Sequence, residues 1–193
     1  MTKADRRIQR TRQSLQRALI DLIGESRFEA ITIQQIVDRA DVGRTTFYLH
    51  YRSKDDLFVS CHEAIASQFH PWAQEHLLAP EPPPEIASGY RHLQEAWPRL
   101  SPVFQGRDGL LILRRIRDRS ARRIETGLRS AFPDTDCSLP LDLLAVYLAG
   151  AQTALLQWWL EKRRPHRPED VARTFHRLQR TAIRDAFGLT VGE

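Results

Sequence analysis

Residues 31–51 read ITIQQIVDRADVGRTTFYLHY, and the fold class follows from where this stretch is interrupted. Thr32 is a good N-cap, and Gln35 sits three residues later where a capping box needs it. Ile33, Ile36, Val37 and Ala40 then recur at helical spacing and give a first short helix one apolar face. Asp41-Val42-Gly43 breaks the pattern. Asp tolerates a left-handed turn conformation better than most residues, and Gly43 is an acceptable N-cap for a helix beginning near Arg44. Phe47 and Tyr51 bury one side of this second helix. Its other sides present Arg44, Thr45, Thr46, Tyr48, Leu49 and His50, which apart from Leu49 are hydrogen-bonding groups on a helix too short to stand alone.

Two short helices with that division of labour have the composition of a helix-turn-helix, whose second helix is shaped for a DNA major groove. The flanks sharpen the comparison. They supply a long helix ending near Gly24, then Phe28, Ala30-Ile31-Thr32, Ile36 and Ala40, and the run VGRTTFYLHYRSKDDLF at 42–58. With these residues the segment from about Thr11 to Phe58 resembles the DNA-binding domain of the tetracycline-repressor (TetR) family of bacterial regulators. The resemblance is specific over the first third of the chain and architectural beyond it. Two positions depart from it: Asp41 stands where the family often has Gly, and Gly43 where it often has Ser.

The resemblance implies roles. Arg44 reads a base, because its planar fork can take guanine O6 and N7 together. Thr45 and Leu49 lie against base edges or thymine methyls. Thr46, Tyr48, His50 and Lys54 meet phosphates, which fix register without specifying sequence. Thr32 and Gln34 approach the backbone or flanking bases. Tyr51 belongs to the core, and a half-buried core position is the competing reading for Tyr48.

Composition sets the frame. With 193 residues, 41% hydrophobic and 27% charged, the chain describes a globular protein with a sizeable core rather than a disordered one. A net charge of +5 and a pI near 9.7 suit a polyanionic partner without identifying one. Lys3, Arg6, Arg7, Arg10, Arg12 and Arg17 face only Asp5 within residues 1–17, which reads as a basic arm in backbone or minor-groove contact. Cys61 and Cys137 are too few and too far apart for a disulfide framework or zinc site. The basic N-terminus lacks the apolar run of a signal peptide, so a cytoplasmic location is expected.

Periodicity predicts an all-α chain in two parts, a helix-turn-helix domain over 1–56 and a helical regulatory and dimerisation domain over 57–193. A first helix covers 5–24, with Ile8, Leu15, Ala18, Leu19, Leu22 and Ile23 on one stripe. Ser53 caps a fourth helix. The four prolines of 80–84 break the chain, followed by helices over 85–97, 102–105 and 109–131. The last of these carries seven arginines, read as a solvated face. A very apolar helix then reaches residue 164. Its length suits a membrane span of ~20 residues, but Asp142, Gln152, Thr153 and Gln157 argue against lipid. Leu144, Leu148, Ala151, Leu155 and Trp159 on this helix, with Phe175 and Leu178 on the final one, are the predicted interface with a second copy of the chain.

A regulator of this kind implies three partners: a double-stranded, inverted-repeat operator, a second copy of itself, and a small-molecule effector. Trp97, Phe104, Tyr147 and Trp158, with Trp72 and Trp159, are the aromatics available to line an effector pocket. No cofactor and no metal are expected. The seven histidines, His50, His62, His70, His76, His92, His166 and His176, match no common metal motif. An enzyme, or an interaction module that kept the fold and lost DNA binding, are the competing classes. Arg44, Tyr48, His50 and Lys54 beside a basic arm speak against the module, and Ser and Cys residues without a recognisable base arrangement, with no glycine-rich phosphate loop, speak against the enzyme.

Overall fold

An apolar stripe of Leu15, Ala18, Leu19, Leu22 and Ile23 is buried along α1 (Lys3–Glu25), and the first compact unit assembles on it. In the computed structural model, which describes residues 3–69, 73–162 and 166–189, the chain is helical throughout, with no strand among the described residues. After α1 come a 3-10 turn (Phe28–Ala30), α2 (Ile33–Ala40), α3 (Arg44–His50) and α4 (Lys54–Phe69). α5 (Gln74–Leu78), α6 (Pro84–Gln105), α7 (Gly109–Ala131), α8 (Leu141–Glu161) and α9 (Pro168–Ala186) complete the order. Contacts divide the chain into one unit of residues 1–64 with 98–113 and another of 65–97 with 114–193.

In the first unit Ile36, Val37, Phe47, Tyr51, Leu57 and Phe58 close over the α1 stripe. Phe58 lies edge-on to both Phe28 (5.5 Å between ring centroids) and Phe104 (5.8 Å), so the C-terminal end of α6 belongs to this core. Ile8, expected on the stripe, is exposed. From Lys3 onward the basic run forms the first turns of α1.

α6 departs most from the sequence reading. It is one helix through Pro98 and Pro102, not two separated pieces. A proline inside a helix costs ~3 kcal/mol through a lost donor and a ring clash. Burial of Val103 and the packing of Phe104 on Phe58 work against that cost. Pro84, at the first position of the helix, costs little because no donor is needed there.

The second unit has two apolar clusters. In one, Ile124, Leu128, Phe132, Leu144, Leu148, Ile183 and Phe187 pack together, with Phe132 stacked on Phe187 at 4.4 Å. In the other, Tyr90, Trp159, Leu160, Val171 and Ala172 meet, and the Trp159 indole Nε1 donates to the carbonyl of His166 at 2.9 Å. α8 has the length and hydropathy of a membrane-crossing helix, yet one side of it supplies core to both clusters.

Candidate nucleic-acid interface

The helix-turn-helix is built by local rules that the side chains obey closely. Thr32 Oγ1 accepts from the Gln35 N–H at 3.2 Å, and Gln35 Oε1 accepts from the Thr32 N–H at 2.8 Å. That reciprocal pair is the capping box, and it satisfies two N–H groups at the start of α2. α2 ends at Asp41, whose φ of 53° and ψ of 50° are left-handed, and the Asp41 and Val42 amides return to the carbonyls of Asp38 and Val37. Gly43 comes next, in extended conformation as N-cap of α3, with no side chain to contribute. Arg39 grips Glu25 with both terminal nitrogens at 2.8 Å, tying α2 to α1. This contact holds the Arg39 guanidinium above and the Glu25 carboxyl below their ordinary values.

α3 is fixed by its inner side. Phe47 is fully buried, and Tyr51 is buried beside it at 6.0 Å between rings. Arg12 Nε donates to the Tyr51 hydroxyl at 3.3 Å, linking α1 to the end of α3. The outer side presents Arg44, Thr45, Tyr48 and Leu49 to solvent, with Thr46 and His50 half-buried at the flanks. Leu49 is 77% exposed, a large apolar side chain with no role in its own core. Arg44 lies along Tyr48, its Nη2 3.4 Å from the phenol oxygen and its guanidinium carbon 5.8 Å from the ring centroid. Stacking of this kind limits the rotamers of a flexible cation before any partner arrives.

Three of the sequence-derived contacts are occupied elsewhere. Thr32 donates its hydroxyl proton to Gln35 Oε1 at 3.0 Å, so both its donors serve the cap. Gln34 Nε2 donates to Asp38 Oδ1 at 2.8 Å. Lys54 is half-buried, and its ammonium meets main-chain carbonyls of the 3-10 turn.

Residues 17–61 match the family model for bacterial regulatory proteins of the tetR family. Over the helix-turn-helix unit the chain is similar to the TetR family. The chain is 28% identical over 190 residues to the HTH-type transcriptional regulator YxbF of Bacillus subtilis (strain 168), itself uncharacterized; the match covers 89% of this chain and 45% of YxbF, so the chain spans under half the length of that relative. The TetR-like fold extends over nearly the whole chain. A TetR transcriptional regulator from Rhodococcus sp. RHA1 superposes with a TM-score of 0.52 at 18% identity, covering 95% of this chain and 98% of that one. The TetR regulator tylp from Streptomyces fradiae gives 0.53 at 19% identity, covering 94% and 88%. The dihydroxyacetone kinase operon activator DhaS gives 0.55 at 16%, covering 92% and 98%.

Phe104 packs on Phe58 in the TetR-type unit, whereas Trp97 packs against the Tyr90–Trp159 cluster of the other unit. Tyr147 and Trp158 are 62% and 43% exposed. Trp72 and His70 lie outside the described residues. His176 is buried with Nε2 2.9 Å from the Ala79 carbonyl, and among the described residues no three His, Cys, Asp or Glu side chains could hold a metal ion.

The predicted partner-facing stripe divides between buried and exposed positions. Leu144, Leu148, Trp159 and Phe175 are buried within their own chain, and Leu155 packs on the Trp159 cluster. Only Ala151 and Leu178 of that set are exposed. The reason is that α8 is apolar nearly all round, so spacings of three and four fit more than one stripe. The face left outside carries Leu143, Val146, Tyr147, Ala151, Ala154 and Trp158. Nothing would touch a Cβ added at Gly150 on the same helix.

Proposed function

We propose that this chain is a sequence-specific, DNA-binding transcriptional regulator that acts as a homodimer in the cytoplasm on an inverted-repeat operator, in response to a small molecule. The observation that carries it is the outer side of α3: Arg44 braced on Tyr48, with Thr45 and Leu49 exposed beside them and Phe47 anchoring the helix from behind. Arg44 is the base reader, Thr45 and Leu49 lie on base edges and thymine methyls, and Thr46, Tyr48 and His50 take phosphates. Gln34 and Thr32 sit at the start of α2, with both Thr32 donors and one Gln34 amide hydrogen already engaged.

One α3 touches only a few base pairs, so affinity and specificity call for two, related by a twofold axis and spaced by ~34 Å or a multiple of it. The outward face of α8, with Leu178 of α9, is the surface offered for that pairing. An effector held by the second unit releases DNA only if it prefers the dimer geometry that does not fit the operator. Repression is the direction the sequence resemblance implies; DhaS, a relative in fold, is named an activator. A promoter–reporter fusion measured with and without the gene reads the sign directly.

The test is fluorescence anisotropy with a duplex selected by the purified protein from random sequence. A regulator gives binding that prefers the selected duplex and weakens steeply with salt. Binding that is absent, or equal for all duplexes, rejects the proposal and leaves an interaction module of the same fold.

A further inference from the structure

Lys54, at the first position of α4, is in the place where the sequence resemblance puts a phosphate contact. Its ammonium points the other way. Nζ donates to the carbonyls of Phe28 and Ile31, the latter at 2.7 Å, and reaches the Glu29 carbonyl at 3.4 Å. It also stands 4.4 Å from the centroid of the Phe28 ring. A lysine ammonium has three donors and no acceptor. Here all three have main-chain partners, on the short turn that immediately precedes the α2 N-cap. The side chain is half-buried, and that burial lowers its pKa against the opposing pull of Asp55, Glu29 and Asp108.

The site around it is tight. A Cβ on Gly106 would fall 2.0 Å from Glu29 Oε1, so the link between α6 and α7 runs against the same turn. Phe28 is held in turn by Phe58. The 3-10 turn thus has a cation on its carbonyls, an aromatic core beneath and a main-chain segment at its side, and Thr32 begins α2 directly after it.

We infer that Lys54 is a positioning residue for DNA recognition: it fixes the 3-10 turn, and through it the entry of α2 and the aim of α3, instead of neutralising a phosphate. This rests on the DNA-binding reading above, but half of its test does not. Lys54→Met keeps the stem and removes the charge. Amide hydrogen exchange is expected to accelerate at least tenfold in residues 28–37 of this variant, and to stay unchanged there in Arg44→Ala, with no DNA present. On DNA, Lys54→Met should lose roughly tenfold in affinity for the selected duplex, keep its affinity for random duplex, and keep the wild-type slope of log K against log salt. A phosphate ligand behaves otherwise, weakening all duplexes alike and reducing the slope by ~0.9. That slope change, or unchanged exchange in residues 28–37, overturns the inference. Should wild-type protein bind no DNA, the functional reading fails while the exchange result still decides the role of Lys54. Circular dichroism below the melting transition guards against reading global unfolding as local loosening.

Discussion

Leu143 and Leu144 are chain neighbours with opposite fates, 60% and 4% exposed. Together they test which side of α8 meets a partner. Leu144 packs with Leu128, Leu148 and Ile183, so Leu144→Ala opens a cavity in the protomer and should cost ~2–5 kcal/mol of folding stability. Leu143 contributes little to that core. If α8 pairs with its symmetry mate, burying the exposed part of a leucine is worth ~1–2 kcal/mol, from the ~1.5–3 kcal/mol of complete burial. A twofold interface counts every residue twice, so Leu143→Ala should weaken the dimer by ~2–4 kcal/mol, a rise in Kd of ~30- to ~700-fold. Sedimentation over a wide concentration range measures this. Leu143→Ala should shift the monomer–dimer midpoint strongly, and its melting temperature should change only as far as dissociation makes it concentration-dependent. Leu144→Ala should melt early at every concentration. A Leu143→Ala dimer as tight as wild type, or loss of the dimer in Leu144→Ala with stability intact, refutes the assignment of the outward face.

Three further outcomes are expected. Arg44→Ala should lose ~1–3 kcal/mol of discrimination between selected and random duplex, read from paired titrations at one salt concentration, with little change in melting temperature. Asp41→Gly should stabilise the chain by ~1 kcal/mol in denaturant titrations, because glycine adopts the left-handed conformation without the Cβ contact that Asp41 suffers. Burial pushes the Cys61 thiol up to about 12 from 9.0, so its neutral form is favoured in the folded chain. Its contribution to stability is complete below pH 9 and is lost as pH rises toward 12, and iodoacetamide at pH 8 should label Cys61 only in the unfolded protein.

The local rules were legible from the chain. Thr32 with Gln35 specified the capping box, Asp41 the left-handed stop, and the recurrence of Leu15, Leu19 and Leu22 the stripe on which the TetR-type unit assembles. What escaped depends on distance along the chain. Pro98 and Pro102 carry a strong local signal to stop a helix, and no local pattern says that Phe104 will rest on Phe58 and keep it going. Lys54 and Phe28 are 26 positions apart, so nothing in the spacing distinguishes an ammonium aimed at carbonyls from one aimed at solvent. α8 misleads for a different reason: its composition is apolar on nearly every side, and periodicity cannot choose among equivalent stripes. A search for small and aromatic residues on the side away from Leu144 and Leu148 could have found Tyr147, Ala154 and Trp158.

The division of α3 into a buried Phe47 and an exposed Arg44, Thr45, Tyr48 and Leu49 has a consequence for how such a protein can change. Exposed positions away from caps and cores accept substitution within ~0.5 kcal/mol either way. A lineage could therefore rewrite the bases it prefers, one outward side chain at a time, while melting temperature and abundance stay where they were. Mutational libraries confined to those four positions should yield many folded proteins with altered targets, whereas the same effort spent on Phe47 or Tyr51 should yield mostly unfolded chains.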